Sequence, residues 1–256
     1  MRKTITFAKR NLIEISRDPL GYIFCIAFPL VMLFVMTLVN ESIPDEAGMT
    51  IFRIDNLAGG IGVFGHTFVM LFTAMAVSKD RSGSFLIRLF ASPMKSNNFT
   101  NGYILPMVLI AIVQGLIAFA ASLIVSVIVG YEIKIAGLFL GIVVLLPSAV
   151  MFIAIGLIFG TLFNQNAAPG LCSIIISLGS FLGGIWFDAE GTGGVLYNIC
   201  RCLPFIYCTK AVRSAIRLDL SADHFVIPLA VVTGIAVLMT VLSIALFKGK
   251  MKADLS

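Results

Sequence analysis

Charge is scarce in this chain. Only 12% of its 256 residues are Asp, Glu, Lys or Arg while 59% are hydrophobic, against roughly 25% charged in an ordinary soluble domain. That shortage excludes a sizeable soluble domain. Histidine is scarcer still, at two residues. No His-rich metal set, acid pair or activated nucleophile falls within the apolar runs, which disfavours a membrane enzyme. The phosphate-binding pattern G-x-x-x-x-G-K-[ST] is absent, so this chain cannot hydrolyse ATP by that means. The formal charge of +5 does not signal nucleic acid either, because the basic residues sit at the edges of apolar runs with no base-stacking or groove-reading pattern beside them.

What the chain has instead is long apolar runs, with a mean hydropathy of +1.04. A helical crossing needs about 20 residues, which leaves room for about six. They are expected at 20–39, 57–78, 103–129, 136–163, 168–187 and 225–247. The expected fold is therefore all-α and membrane-integral, with six transmembrane helices in one domain over 1–256. Residues 1–18 put Ile5, Ala8, Leu12 and Ile15 on one stripe and Lys3, Arg10, Glu14 and Arg17 on another, the pattern of an interfacial helix leading into the first span as an elbow. The run that follows is too long for a signal peptide and lacks a small-x-small cleavage site. Pro29 is expected to kink it and Pro147 to bend the fourth span, where Gly156 and Gly160 would admit a neighbouring helix closely.

Both termini are expected inside. The proposed inner segments hold 12 Lys or Arg and the outer ones 6, as the positive-inside rule requires. The inner segment 79–98 is charged and helix-patterned. With 84–91 helical, Arg81, Ser84 and Arg88 share one face and Phe85, Leu86, Leu89 and Phe90 the other, and Ser92-Pro93 ends the helix. The outer stretch 188–224 reads as two half-apolar helices that dip into the membrane and return, with Lys210, Arg213 and Arg217 on one stripe.

Within the spans, His66 and Gln114 are the polar exceptions, and a hydrogen-bonded packing role outweighs substrate contact for each. Ser173, Ser177, Ser180 and Gly184 lie near one face of the fifth span, a stripe that packs a helix or lines a pathway. Cys25 and Cys172 are small apolar fillers. Cys200, Cys202 and Cys208 permit one disulfide or none, and a metal site there lacks a second ligand pair.

Three stretches resemble the type-2 family of ABC exporter permeases: Arg17-Asp18-Pro19 before the first span, the run from Asp80 to Pro93 ending Leu89-Phe90-Ala91-Ser92-Pro93, and Leu203-Pro204-Phe205 followed by Ala211-Val212-Arg213. The second is similar to the family's E-R-E-x-G-T-L-E-R-L-L-A-S-P run, with Asp80 standing for glutamate, Ser84 for threonine and Ile87 for the acid before Arg88. The resemblance implies that 79–98 is a coupling helix docking into a separate ATP-binding subunit through Arg81, Gly83, Phe85, Leu86, Arg88, Leu89, Phe90 and Pro93. It implies ATP and Mg on that partner and no cofactor on this chain, and a second permease copy, identical or paralogous, completing the pathway in a bacterial plasma membrane. His66, Ser173, Ser177, Ser180 and Gly184 are pathway candidates, and Pro204, Phe205 and Arg213 outer-gate candidates. The implied cargo is an amphipathic drug, antibiotic or peptide-like compound. A lipid-linked glycan or polysaccharide permease and a stand-alone secondary transporter are the alternatives.

Overall fold

The computed structural model describes residues 2–44, 48–83 and 96–253. The principal helices are α1 (Arg2–Ile15), α2 (Pro19–Ser42), α3 (Ile54–Ser82), α4 (Ser96–Val129), α5 (Ile135–Leu162), α6 (Ala167–Leu182), α7 (Gly194–Cys202), α8 (Pro204–Arg217) and α9 (Ile227–Ala253). There is no strand among the described residues. Helices α2 to α5, and α9 with its lead-in turn, are long and apolar enough to cross a membrane. The chain threads between two ends of the bundle: a lower end with α1, the end of α3 and the start of α4, and an upper end with α7 and α8.

Helix α3 is the hub. In its most apolar window 83% of residues are buried, against 17% for α9 and 22% for α2, so α2 and α9 turn most of their apolar surface outward. What lets α3 sit so deep is the size of the residues opposing it. A Cβ on Gly156 would come within 2.4 Å of the Met70 carbonyl oxygen, and one on Gly160 within 2.6 Å of that of Ala74. These two glycines of α5 thus bring the backbones of α3 and α5 together, as their spacing predicts.

At the start of α2, Asp18 accepts a hydrogen bond from the Leu20 N–H at 3.1 Å and Pro19 occupies the first turn, as N-terminal chemistry favours. Pro29 does not end the helix. The turn Ile23–Ala27 just ahead of it is π-helical, a local widening that helps satisfy backbone groups a proline leaves free.

Two expectations shift. The side of α1 that meets the bundle is led by Phe7 and Asn11, both buried, while Ile5 is exposed. Phe7 takes the inward position because its ring meets Phe99 and Tyr103 edge-on at 5.7 and 5.1 Å, contacts an aliphatic stripe count does not weigh. The run expected to cross at 168–187 forms the shorter helix α6, of 16 residues. It stops because Gly184 takes a positive φ of 66°, a conformation that glycine adopts without the usual cost, and Ile185 then turns inward and is buried.

Candidate functional site

The lower end is organised by one carboxylate. Asp80 lies in the last turns of α3 and is buried. Its Oδ2 accepts from Arg10 Nη1 and from the Tyr103 hydroxyl, each at 2.7 Å, and its Oδ1 accepts from Arg10 Nη2 at 3.1 Å. A buried acid needs such compensation. The forked guanidinium supplies it in the geometry that suits a carboxylate. Burial works against the Arg10 charge, but the Asp80 hydrogen bonds and charge outweigh it and raise its pKa above the ordinary value.

Around this pair, α1 is fastened to both flanks of residues 84–95. Before them, Lys79 meets Glu14 at 2.9 Å, and Glu14 also pairs with Arg10. After them, Thr4 donates to Asn98 at 3.3 Å and Asn11 donates to the Gly102 carbonyl at 3.0 Å. Arg81 reaches sideways instead: its Nη1 donates to the carbonyls of Gly160 and Thr161 at the end of α5, the acceptors a helix C-terminus leaves open and polarises negatively. Gly83 closes α3, its N–H donating to the Lys79 carbonyl at 3.0 Å. Of the coupling candidates, Phe85, Leu86, Arg88, Leu89, Phe90 and Pro93 lie outside the described residues.

Within the bundle, His66 is buried with Nδ1 3.0 Å from Ser148 Oγ, and Ser148 in turn donates to the Leu145 carbonyl. Gln114 is buried too, and neither its Oε1 nor its Nε2 has a partner. Its amide occupies the space that a side chain on Gly65 would fill. The small-residue stripe of α6 divides. Ser173 and Ser177 are exposed, whereas Ser180 and Gly184 are buried. Ser173 and Ser180 spend their hydroxyl protons on the carbonyls of Pro169 and Ile176 in the preceding turn.

At the upper end, Pro204 starts α8, and the buried Phe205 stacks on Phe152 of α5 at 5.9 Å. Arg213 shares one stripe of α8 with Lys210 and Arg217, as expected, and reaches toward α3. It crosses α3 at Gly59 and Gly60, and its Nε donates to the Asn56 carbonyl at 3.0 Å. Burial, with the Arg217 charge adding to it, lowers the Arg213 guanidinium to about 10. Asp55 is shared, bonded by Arg53 Nε and Nη2 at 2.8 Å each and approached by Arg217 Nε at 3.4 Å. Lys210 pairs with Glu190. All five cysteines are free thiols.

Sequence reasoning passed over Asp80 as a site residue, and Arg10 and Tyr103 with it. The available signal was a lone acid in a basic segment flanking apolar runs, an arrangement that calls for a partner cation. That cation lies 70 residues earlier, too far for any local pattern to indicate.

These features describe a helical membrane core in which α1 is fastened to the end of α3 and to the start of α4, with no group of three or more potential metal ligands among the described residues. No curated protein matches the chain. The family model described as ABC-2 type transporter matches residues 2–217, more than four fifths of the sequence, and covers every element from α1 to α8. The chain is thus a multi-pass membrane protein and belongs to the ABC-2 type transporter family, as a transmembrane permease component.

Proposed function

We propose that this permease drives export of an amphipathic drug, antibiotic or peptide-like compound, powered by a separate ABC ATP-binding subunit that carries ATP and Mg. Members of the family generally work with such a subunit, and the missing phosphate loop leaves this chain dependent on one. In this reading the lower end is cytoplasmic, α1 is the elbow, and 79–98 is the coupling segment. Helix α6 with the chain that follows completes a sixth crossing, 188–224 is the outer re-entrant hairpin, and Pro204, Phe205 and Arg213 belong to an outer gate. A second permease copy faces the exposed side of α6. His66 and the α6 serines stand nearest the pathway.

The observation that carries the proposal is the fastening of both flanks of 84–95. A push on that segment cannot be absorbed by a loose α3 terminus, because Asp80 and Arg81 tie the terminus to α1, α4 and α5. The force is passed to the ends of three long helices. Coupled motion of this kind needs contiguous, two-state packing, and polar ties at the helix ends are where such packing is set.

The test is co-purification. The Leu89→Asp, Phe90→Asp double variant should reach the membrane at normal abundance and lose the ATP-binding subunit, since two charges replace the apolar face that would enter its cleft. Retention of that subunit would overturn the coupling assignment. Transport that survives removal of the ATPase would favour a stand-alone secondary transporter instead.

A further inference from the structure

The upper end contains a cavity of about 290 Å³ between the start of α3 and helix α8. Its wall includes Asn56, Asp188, Glu190, Lys210, Arg213 and Arg217. Formal charges in the whole wall balance, since Asp219 also lines it, but hydrogen-bonding capacity does not. Asp188 accepts from the Glu190 and Gly191 N–H groups, Asp219 from the Ser221 N–H, and Glu190 from Lys210. Arg213, by contrast, uses Nε on the Asn56 carbonyl and leaves Nη2 buried without an acceptor. Asn56 Oδ1, on the residue that Arg213 touches, is likewise buried without a donor. Buried polar groups are almost always satisfied, and a guanidinium donor is among the costlier ones to leave bare. None of the acids lining the cavity is hydrogen-bonded to Arg213, whose one bond is from Nε to the Asn56 carbonyl, so its open Nη2 leaves a place for an acceptor from outside the chain.

We infer that this upper cavity binds an oxyanion, a carboxylate or a phosphate, with Arg213 as its principal ligand and Lys210 and Arg217 beside it. The planar fork of Arg213 matches either group. The unmatched Asn56 oxygen favours an anion that also carries a proton to donate, such as monohydrogen phosphate or an amino acid terminus. Arg217 shares Asp55 with Arg53 and can turn part of its donor set to a ligand, and Lys210 can do the same from Glu190. Binding would require the guanidinium of Arg213 to turn about its Nε anchor, because Nη2 lies over Gly60. This site is independent of the transport reading: it needs no ATP-binding subunit and no cargo.

Two sources share this chemistry, a lipid headgroup and a free anion, and the experiment separates them. The full-length protein is placed in nanodiscs of phosphatidylcholine, and its melting temperature is followed as inorganic phosphate is added at constant ionic strength with chloride as the control anion. A specific site gives a saturable rise with phosphate that chloride does not reproduce. Arg213→Gln should weaken apparent phosphate affinity roughly tenfold or more, the scale of one charge-assisted hydrogen bond. Lys210→Gln should weaken it severalfold by also freeing the Glu190 charge, while Arg201→Gln, an exposed cation stacked on Tyr197, should leave it unchanged. Repeating the titration with phosphatidylglycerol in the disc identifies the source. Loss of apparent phosphate affinity by competition marks a headgroup, and unaltered affinity marks a free anion. An absent or chloride-like response in the unmodified protein overturns the inference, as does unweakened phosphate binding in Arg213→Gln. Should Arg213→Gln fail to fold, unweakened binding in Lys210→Gln and Arg217→Gln together would do the same.

Discussion

The two ends of this bundle each bury part of an ionic cluster against α3, and they finish the job differently. At the lower end both oxygens of Asp80 are engaged, by Arg10 and Tyr103, from two other helices. At the upper end Arg213 and Asn56 each keep a bare buried atom. A satisfied network locks one arrangement and resists change, whereas an unsatisfied one raises the energy of the arrangement it sits in. In the proposed coupling, force enters at the satisfied end and the response is made at the unsatisfied one.

The sharpest way to break the comparison is to spoil the satisfied end. Asp80→Asn leaves Arg10 facing a neutral amide. Removing one partner of a buried ion pair costs about 3–5 kcal/mol, but Arg10 is partly exposed and keeps Glu14, so the expected loss is about 2–3 kcal/mol, read by SDS unfolding titration. A loss below about 1 kcal/mol would mean the lower network is no tighter than the upper. Next, Arg213→Met should change stability by less than about 1 kcal/mol in the same titration, because an apolar chain of similar length replaces a guanidinium that is poorly compensated. A loss equal to that of Asp80→Asn would erase the difference between the ends. The smallest effect is chemical rather than energetic. At pH 8 a water-soluble maleimide should label the exposed Cys202 and spare Cys200 and Cys208, and mass spectrometry reads the result. Burial pushes the Cys208 thiol up to about 12 and raises that of Cys200, so neither supplies thiolate for the reaction.

Much of this was legible in the residues. The helix expected at 136–163 is observed as Ile135–Leu162, because an unbroken apolar run bounded by polar turns leaves little freedom in a bilayer. Gly156 and Gly160 also acted as their spacing foretold. The losses have a common cause. Phe7 displaced Ile5 because of Phe99 and Tyr103 on another helix, and the partners of Arg213, Asn56 and the glycines of α3, likewise lie on a helix that no local pattern indicates. The stripe Ser173, Ser177, Ser180 and Gly184 assumed a helix that continues past Leu182, and α6 ends there. Of the coupling candidates, only Arg81 and Gly83 could be placed, and Arg81 grips the end of α5 rather than presenting an outward charge.

Helix α6 has one more implication, which concerns the lipid rather than the protein. Sixteen residues rise about 24 Å at 1.5 Å each, roughly 6 Å less than a typical hydrocarbon layer of about 30 Å. Its outward side carries Ile174, Leu178 and Phe181 alongside the exposed serines. Wherever lipid rather than a second copy meets that face, the bilayer must thin or let headgroups sink to match it. The lipid barrier is then at its narrowest beside α6.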